Sequence, residues 1–303
     1  MKFFRFGTAG RERPGTLDAS GTRRDLSSVI DDLAGDQLDP KTLRRLSRLD
    51  LSALPAVPDD ERLGACVGRV GHFIAVGLNY ADHAAEAGAE IPKEPILFNK
   101  APSCIIGPND DIQLPLGSAK SDWEVELAVV IGTPSTYLKS DDVEHVIAGY
   151  CVCNDLSERA FQTERGGQWM KGKGCPTFGP LGPWLVTPDE IKDVQALRLW
   201  LRVNGEVMQD GSTRQMLFKV HWLVAYISQF MKLEPGDVIT TGTPAGVGMG
   251  KKPPRYLTSG DVIELGVEGL GSQRQRVIAD RPSSHGVNYT AEGAGRAGRG
   301  TRA

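Results

Sequence analysis

Two glutamates two residues apart, Glu124 and Glu126, open the run Asp122-Trp-Glu-Val-Glu-Leu-Ala-Val-Val-Ile-Gly132. Its apolar second half, Leu127–Ile131, predicts a buried strand. On a strand, residues i and i+2 point to one face. Two carboxylates sharing a face at the mouth of a buried strand repel each other, and either a cation between them or protonation of one relieves the repulsion. Asp155 ends a second apolar run, Ala148-Gly-Tyr-Cys-Val-Cys-Asn-Asp155, and supplies a third carboxylate. An all-carboxylate set suits Mg2+, with Mn2+ or Ca2+ as alternatives, better than zinc. The plain alternative is an exposed strand start at Glu124 and Glu126 with an unrelated helix cap at Asp155.

A histidine with a carboxylate neighbour lies upstream, in Gly77-Leu-Asn-Tyr-Ala-Asp-His83-Ala-Ala-Glu86. On a helix, His83 and Glu86 are i, i+3 neighbours. A carboxylate beside an imidazole fixes its tautomer and raises its basicity, as a water-activating base requires. A surface helix with an incidental pair gives the same spacing. Lys173 sits in the Gly-rich stretch Gly166–Pro180, where glycines would let the backbone approach a ligand and a lysine could pair with a carboxylate. That stretch is neither a phosphate loop nor a dinucleotide fingerprint. Thr243 stands in the turn Thr240-Thr-Gly-Thr-Pro-Ala-Gly-Val-Gly248, whose hydroxyls and free amides could hold an anion. A solvated loop lysine and an ordinary turn are the plain readings of these two.

The elements that must position these groups read mostly as strands. Candidates are Phe73–Gly77, Ile96–Asn99, Val125–Ile131, Ala148–Asn154, Leu197–Val203, Val238–Thr241 and Val262–Gly266. Helical signals cover Ala81–Ala87, a segment near Leu156–Glu164, and Val220–Met231. Strands in excess, joined by turns rich in Gly and Pro, predict a mostly-β fold with some α rather than a doubly wound α/β sheet. Two Gly-Asp turns feed β-branched strands, at Gly236-Asp237 and Gly260-Asp261, and suggest paired strands of one curled sheet. Residues 1–70 read as a small N-terminal α+β domain. It holds a hairpin from Phe3–Gly7 and Thr16–Asp18 turning at Gly10–Pro14, helical signals at Ser27–Leu33 and Pro40–Leu51, and a linker at Leu54–Asp60. Residues 71–280 form the main body, and residues 281–303 are a tail too poor in large apolar side chains to order itself.

With 303 residues, 40% hydrophobic and 24% charged, the chain is long enough for a large core. A formal net charge of −3 gives no reason to expect nucleic acid or an anionic membrane as partner. No secretory signal is legible at the start, and no run approaches the roughly 18 apolar residues of a membrane span. The five cysteines fit neither a zinc pattern nor a disulfide framework, and read as reduced structural thiols of a cytoplasmic protein.

Taken in order, Gly-x-Asn-Tyr-x-x-His-x-x-Glu, Trp-Glu-x-Glu-Leu-x-Val-Val-Ile-Gly, Asn-Asp-x-x-x-Arg, Lys-Gly-Lys and Thr-Gly-Thr-Pro-x-Gly-Val-Gly resemble the fumarylacetoacetate hydrolase family over about residues 70–280. The resemblance implies a mixed β-roll around a central metal, in a homodimer. It implies Glu124, Glu126 and Asp155 as metal ligands, and His83 with Glu86 as the water-activating dyad on a lid. Lys173 would stand beside the metal, and Arg159, Gln162 and Thr243 would contact the substrate. One departure is Pro176, where relatives often carry Asp; a reshaped pocket or slower chemistry would follow from it. The stretches around Lys173 and Trp184 are similar to members that act on 2,4-diketo-3-deoxy sugar acids. The expected activity is metal-dependent hydrolysis of a carbon–carbon bond in a small 2,4-diketo acid, with release of pyruvate. Isomerisation or decarboxylation of 2-hydroxy-dienedioates, or a ureidoglycolate lyase reaction, would use the same metal site.

Overall fold

The apolar runs become the middle of a sheet. In the computed structural model, which describes residues 1–86 and 88–279, Val125–Ile131 and Ile147–Asn154 are buried at every position and pair antiparallel. A strand buried on both faces has no need to alternate polar and apolar residues, which is why these two read as continuous apolar runs. They lie within a nine-stranded sheet whose order is Arg23–Asp25, Arg13–Leu17, Lys2–Phe6, Leu185–Val186, Ile147–Asn154, Val125–Ile131, Val238–Thr240, Phe73–Gly77 and Ile96–Lys100. Val238–Thr240 runs parallel to Phe73–Gly77, and the other neighbours in that sheet are antiparallel.

A five-stranded sheet, in the order Glu206–Ser212, Arg198–Val203, Val262–Val267, Gly271–Ile278 and Ile112–Gln113, packs across the first. Along Arg198–Val203 the residues Leu199, Leu201 and Val203 are buried while Arg198 and Arg202 are exposed. That alternation marks a sheet with one wet face. Leu199, Leu201, Ile263 and Leu265 join Leu127 and Val129 in one apolar core between the sheets. The fold is mostly β, as expected, and all five cysteines are free and buried in it.

Several local expectations differ from what forms. Ser27–Leu33 makes no helix, because the Asp25 carboxylate accepts both the amide and the hydroxyl of Ser27 and closes a turn there. The expected Pro40–Leu51 helix is an α-helix over Pro40–Leu46, with Leu51–Ala53 forming a separate 3-10 turn capped by Asp50. Val220–Ile227 ends before Met231. The first hairpin gains a third strand, Arg23–Asp25, and Pro14 lies within the second strand rather than in the turn. The two Gly-Asp turns are built alike. Gly236 and Gly260 both adopt φ of 98°, and Asp237 and Asp261 each accept the amide of the residue three before. The strands that follow them nevertheless belong to different sheets. The expected tail, residues 281–303, lies outside the described residues, as does Ala87. Among the described residues, no helix is long and apolar enough to cross a membrane.

Candidate active site

The register of the two central strands brings the carboxylates together. Glu126 stands opposite Cys153 and Val125 opposite Asn154, so the next pair outward is Glu124 and Asp155, whose amide donates to the Glu124 carbonyl at 2.9 Å. Glu124, Glu126 and Asp155, all buried, place one carboxylate oxygen each within 4.8 Å of one another. The exposed strand start that the sequence left open is not what forms.

Each of these carboxylates is held by a different neighbour. Arg159 donates to Glu124 Oε1 at 2.7 Å, the Gly242 amide donates to Glu126 Oε2 at 2.8 Å, and Lys100 Nζ stands 2.6 Å from Asp155 Oδ1. Gly242 turns with φ of 91°, a left-handed conformation that suits glycine and points its amide at Glu126. Lys173 Nζ bridges Glu124 Oε2 at 2.5 Å and Asp155 Oδ2 at 2.7 Å. It reaches there from Met170–Lys173, a single helical turn where the sequence suggested a loop. The ring of Phe98 lies 5.2 Å from the same ammonium.

A cation suits this cluster. Asp122, Glu124, Glu126 and Asp155 face Lys100, Arg159 and Lys173, so ionisation of all four carboxylates would leave one negative charge in excess inside the protein. Lys100 approaches Asp155 Oδ1 out of hydrogen-bond alignment, and that buried oxygen accepts no hydrogen bond. Burial pushes the Glu124 carboxyl up, but Lys173 and Arg159 outweigh it and bring it to about 2. At Glu126 the balance is reversed, because Lys173 and the Gly242 amide pull its carboxyl down too weakly. Burial, then Asp155 and Glu124, push its carboxyl well above the ordinary value. A divalent ion would relieve the strain, and the all-oxygen donor set matches a hard cation.

His83 and the carboxylates line one cavity of about 170 Å³, together with Arg159, Gln162, Trp169, Lys173, Thr243 and Met249. His83 comes from the helix Ala81–Glu86, and its Nδ1 faces Glu86 Oε2 at 3.4 Å. Glu86 sits behind the histidine and accepts the Gly246 amide at 3.0 and 3.1 Å. Gly246 has φ of 109°, and a Cβ there would meet the Met208 carbonyl at 2.0 Å. Burial pushes the Glu86 carboxyl up, while His83 and the Gly246 and Val247 amides pull it below its usual value, and the downward pull prevails.

The expected substrate contacts all reach the cavity wall, with other engagements as well. Arg159 spends its guanidinium on Asp122, Gln162 and Glu124. The Thr243 hydroxyl donates to the Val125 carbonyl at 2.9 Å and accepts from Gln209 at 2.8 Å. Pro176 is exposed and lies outside the cavity wall.

Three supporting residues were not singled out from the sequence. Buried Asp122 accepts the Gly248 amide at 2.6 Å, the Met249 amide at 3.0 Å and Arg159 Nε at 2.9 Å. Its place two residues before Glu124 was the available signal. Lys100 is fully buried at the end of Ile96–Lys100. Gln209 stands in for a missing strand neighbour, accepting the Val125 amide at 2.9 Å and donating to the Pro244 carbonyl at 2.7 Å. A larger cleft of about 450 Å³, bounded by Leu43, Arg44, His145 and Pro188, contains none of these groups.

A sequence profile for the fumarylacetoacetate hydrolase C-terminal domain matches residues 72–278. A Burkholderia multivorans protein whose name assigns it provisionally to the hydrolases is 59% identical over 93% of this chain and 100% of its own length. The solved fumarylacetoacetate hydrolase of Exiguobacterium antarcticum shares 40% identity at a TM-score of 0.82, covering 92% of this chain and 99% of that one. The 5-carboxymethyl-2-hydroxymuconate delta-isomerase of Mycobacterium smegmatis shares 34% identity at a TM-score of 0.74, covering 93% of this chain and 100% of that one. Motif order, fold and these likenesses agree, and the chain belongs to the fumarylacetoacetate hydrolase family.

Proposed function

We propose that this chain is a divalent-metal-dependent hydrolase that cleaves a carbon–carbon bond of a 2,4-diketo acid, an acylpyruvate or a 2,4-diketo-3-deoxy sugar acid, and releases pyruvate. The observation behind this reading is one cavity that holds the Glu124, Glu126 and Asp155 cluster together with His83, with Glu86 behind the imidazole. The charge balance supports the substrate class. With all four carboxylates ionised, a divalent ion would leave the cluster one positive charge, which the carboxylate of a keto acid would match.

His83 turns Nδ1 toward Glu86, which leaves Nε2 to take a proton from water. The water oxygen bonds to C4 of the substrate, and the C3–C4 bond breaks. Its electron pair passes to C3, which takes up the proton from His83 and becomes the methyl group of pyruvate. The acyl fragment leaves as a carboxylic acid, which gives water's second proton to solvent and becomes a carboxylate. Lys173, between Glu124 and Asp155, keeps a positive charge beside the substrate's oxygen atoms. Glu124, Glu126 and Asp155 would hold Mg2+ or Mn2+, which supplies Lewis-acid charge stabilisation when bound. A cytoplasmic homodimer belongs to the same reading, supported by membership of the family.

The test is pyruvate release from a panel of acylpyruvates and 2,4-diketo-3-deoxy sugar acids, with Mg2+, with chelator, and with Glu126→Ala. Release that needs both the metal and Glu126 is the expected result. An isomerase alternative is favoured by the likeness to the delta-isomerase, whose identity of 34% is not far below that of the hydrolase at 40%. Conversion of a 2-hydroxy-dienedioate without pyruvate release would establish that alternative and overturn the hydrolase reading.

A further inference from the structure

Each of the three carboxylates has one oxygen set against a fixed group, by a hydrogen bond at Glu124 and Glu126 and by an ion pair alone at Asp155. Glu124 Oε1 is bound to Arg159, Glu126 Oε2 to the Gly242 amide, and Asp155 Oδ1 is paired with Lys100. Lys173 already sits against two of the remaining oxygens, Glu124 Oε2 and Asp155 Oδ2. Unlike Arg159 and Lys173, Lys100 lies outside the cavity wall and is buried. Its Nζ donates to the carbonyls of Leu156 and Lys173, so it also fixes the chain on both sides of the cluster.

A carboxylate with one oxygen so engaged offers a cation a single bond. Ca2+ takes six to eight oxygens and readily uses both oxygens of a carboxylate, whereas Mg2+ keeps a near-octahedral shell with several waters. We infer that Lys100 is a positioning residue that holds Asp155 to one-oxygen ligation, and that this arrangement makes the site select small six-coordinate cations against Ca2+. The inference rests on the metal-dependent reading above and deepens it. Lys100 touches neither substrate nor metal in this scheme and acts through Asp155.

The experiment is calorimetric titration of the full chain, stripped of metal, with Mg2+, Mn2+ and Ca2+ in turn. It is repeated on Lys100→Met, and on Lys100→Arg, which keeps the charge. The wild type is expected to bind Mn2+ at least about tenfold more tightly than Ca2+. Lys100→Met should narrow that ratio by roughly 10-fold or more, and Lys100→Arg should restore part of it. A merely structural role for Lys100 would weaken all three ions alike and leave the ratio unmoved, and that result overturns the inference. If Lys100→Met fails to fold, the wild-type ratio still decides, because equal affinity for Mn2+ and Ca2+ refutes one-oxygen ligation as a selector. Absence of binding by any of the three ions would overturn the metal-dependent reading itself along with this inference. Equal binding with pyruvate release intact would remove only the role given to Lys100.

Discussion

Glu86 and Gly246 are joined by a hydrogen bond across 160 residues of sequence, and the same carboxylate faces His83 Nδ1. One side chain thus orients the imidazole and ties its helix to the turn that follows Thr243. Because Glu86 is held below the ordinary carboxylate value, its ionised form favours the folded state above that value, and the benefit is lost only as pH falls through its lowered one. Hydrogen exchange at the Gly246 amide should stay slow at mildly acidic pH and quicken only beneath the usual carboxylate range. Glu86→Gln should lower turnover by roughly 10²–10⁴-fold, the scale of losing a group that sets a histidine's tautomer.

His83→Ala should reduce pyruvate release by about 10²–10⁴-fold while leaving metal affinity unchanged. No hydrogen bond joins His83 to Glu124, Glu126 or Asp155 among the described residues, so the two readouts separate. Full turnover in this variant would remove His83 from the mechanism.

Glu126 should make the metal-free protein less stable as pH rises. Its folded value lies well above 4.5, so the folded state binds a proton that the unfolded state has released, and stability falls between those two values. Added Mg2+ or Mn2+ should reverse the loss. Glu126→Gln should flatten the pH dependence of the metal-free melting temperature and abolish the rise on adding metal. A melting temperature that climbs with pH in the stripped wild type would contradict this.

Asp122→Ala should cost about 3–5 kcal/mol in chemical denaturation, since it strands Arg159 in the interior and frees the Gly248 and Met249 amides. Asp122→Asn should cost less and still disturb Glu124, whose partner Arg159 would lose its anchor.

The central strands and their carboxylates were legible because burial on both faces writes an uninterrupted apolar run, and a charge at its edge stands out. Lys100 was not legible for the converse reason. A lysine closing an apolar run reads as the point where the chain meets water, and the expected strand stopped at Asn99, one residue short of it. Gln209, Gln273 and Gln275 look solvent-facing by the same rule, yet all three are buried and donate to main-chain carbonyls, and Gln275 also donates to Gln273. The helical turn before Lys173 was hidden by its glycines. Gly172 packs so closely against Glu158 that a Cβ would meet its carbonyl at 2.3 Å. Side-chain partners distant in sequence leave no periodic trace, so motif order found the carboxylate cluster with Arg159 and Lys173 and missed Lys100, Asp122 and Gln209.

The strand Lys2–Phe6 takes its place beside Leu185–Val186, with Lys2 opposite Val186. During synthesis the ribosome makes this strand well before Leu185–Val186, and that neighbour in the sheet emerges only after more than 170 further residues have followed. Until then one edge of the Lys2–Phe6 hairpin is unpaired, a template to which another chain could add. Pairings this remote in sequence also form slowly. Chaperone dependence and losses to aggregation should therefore concentrate in the interval before residue 186 leaves the exit tunnel, and chains truncated short of Leu185 should aggregate where the full chain does not.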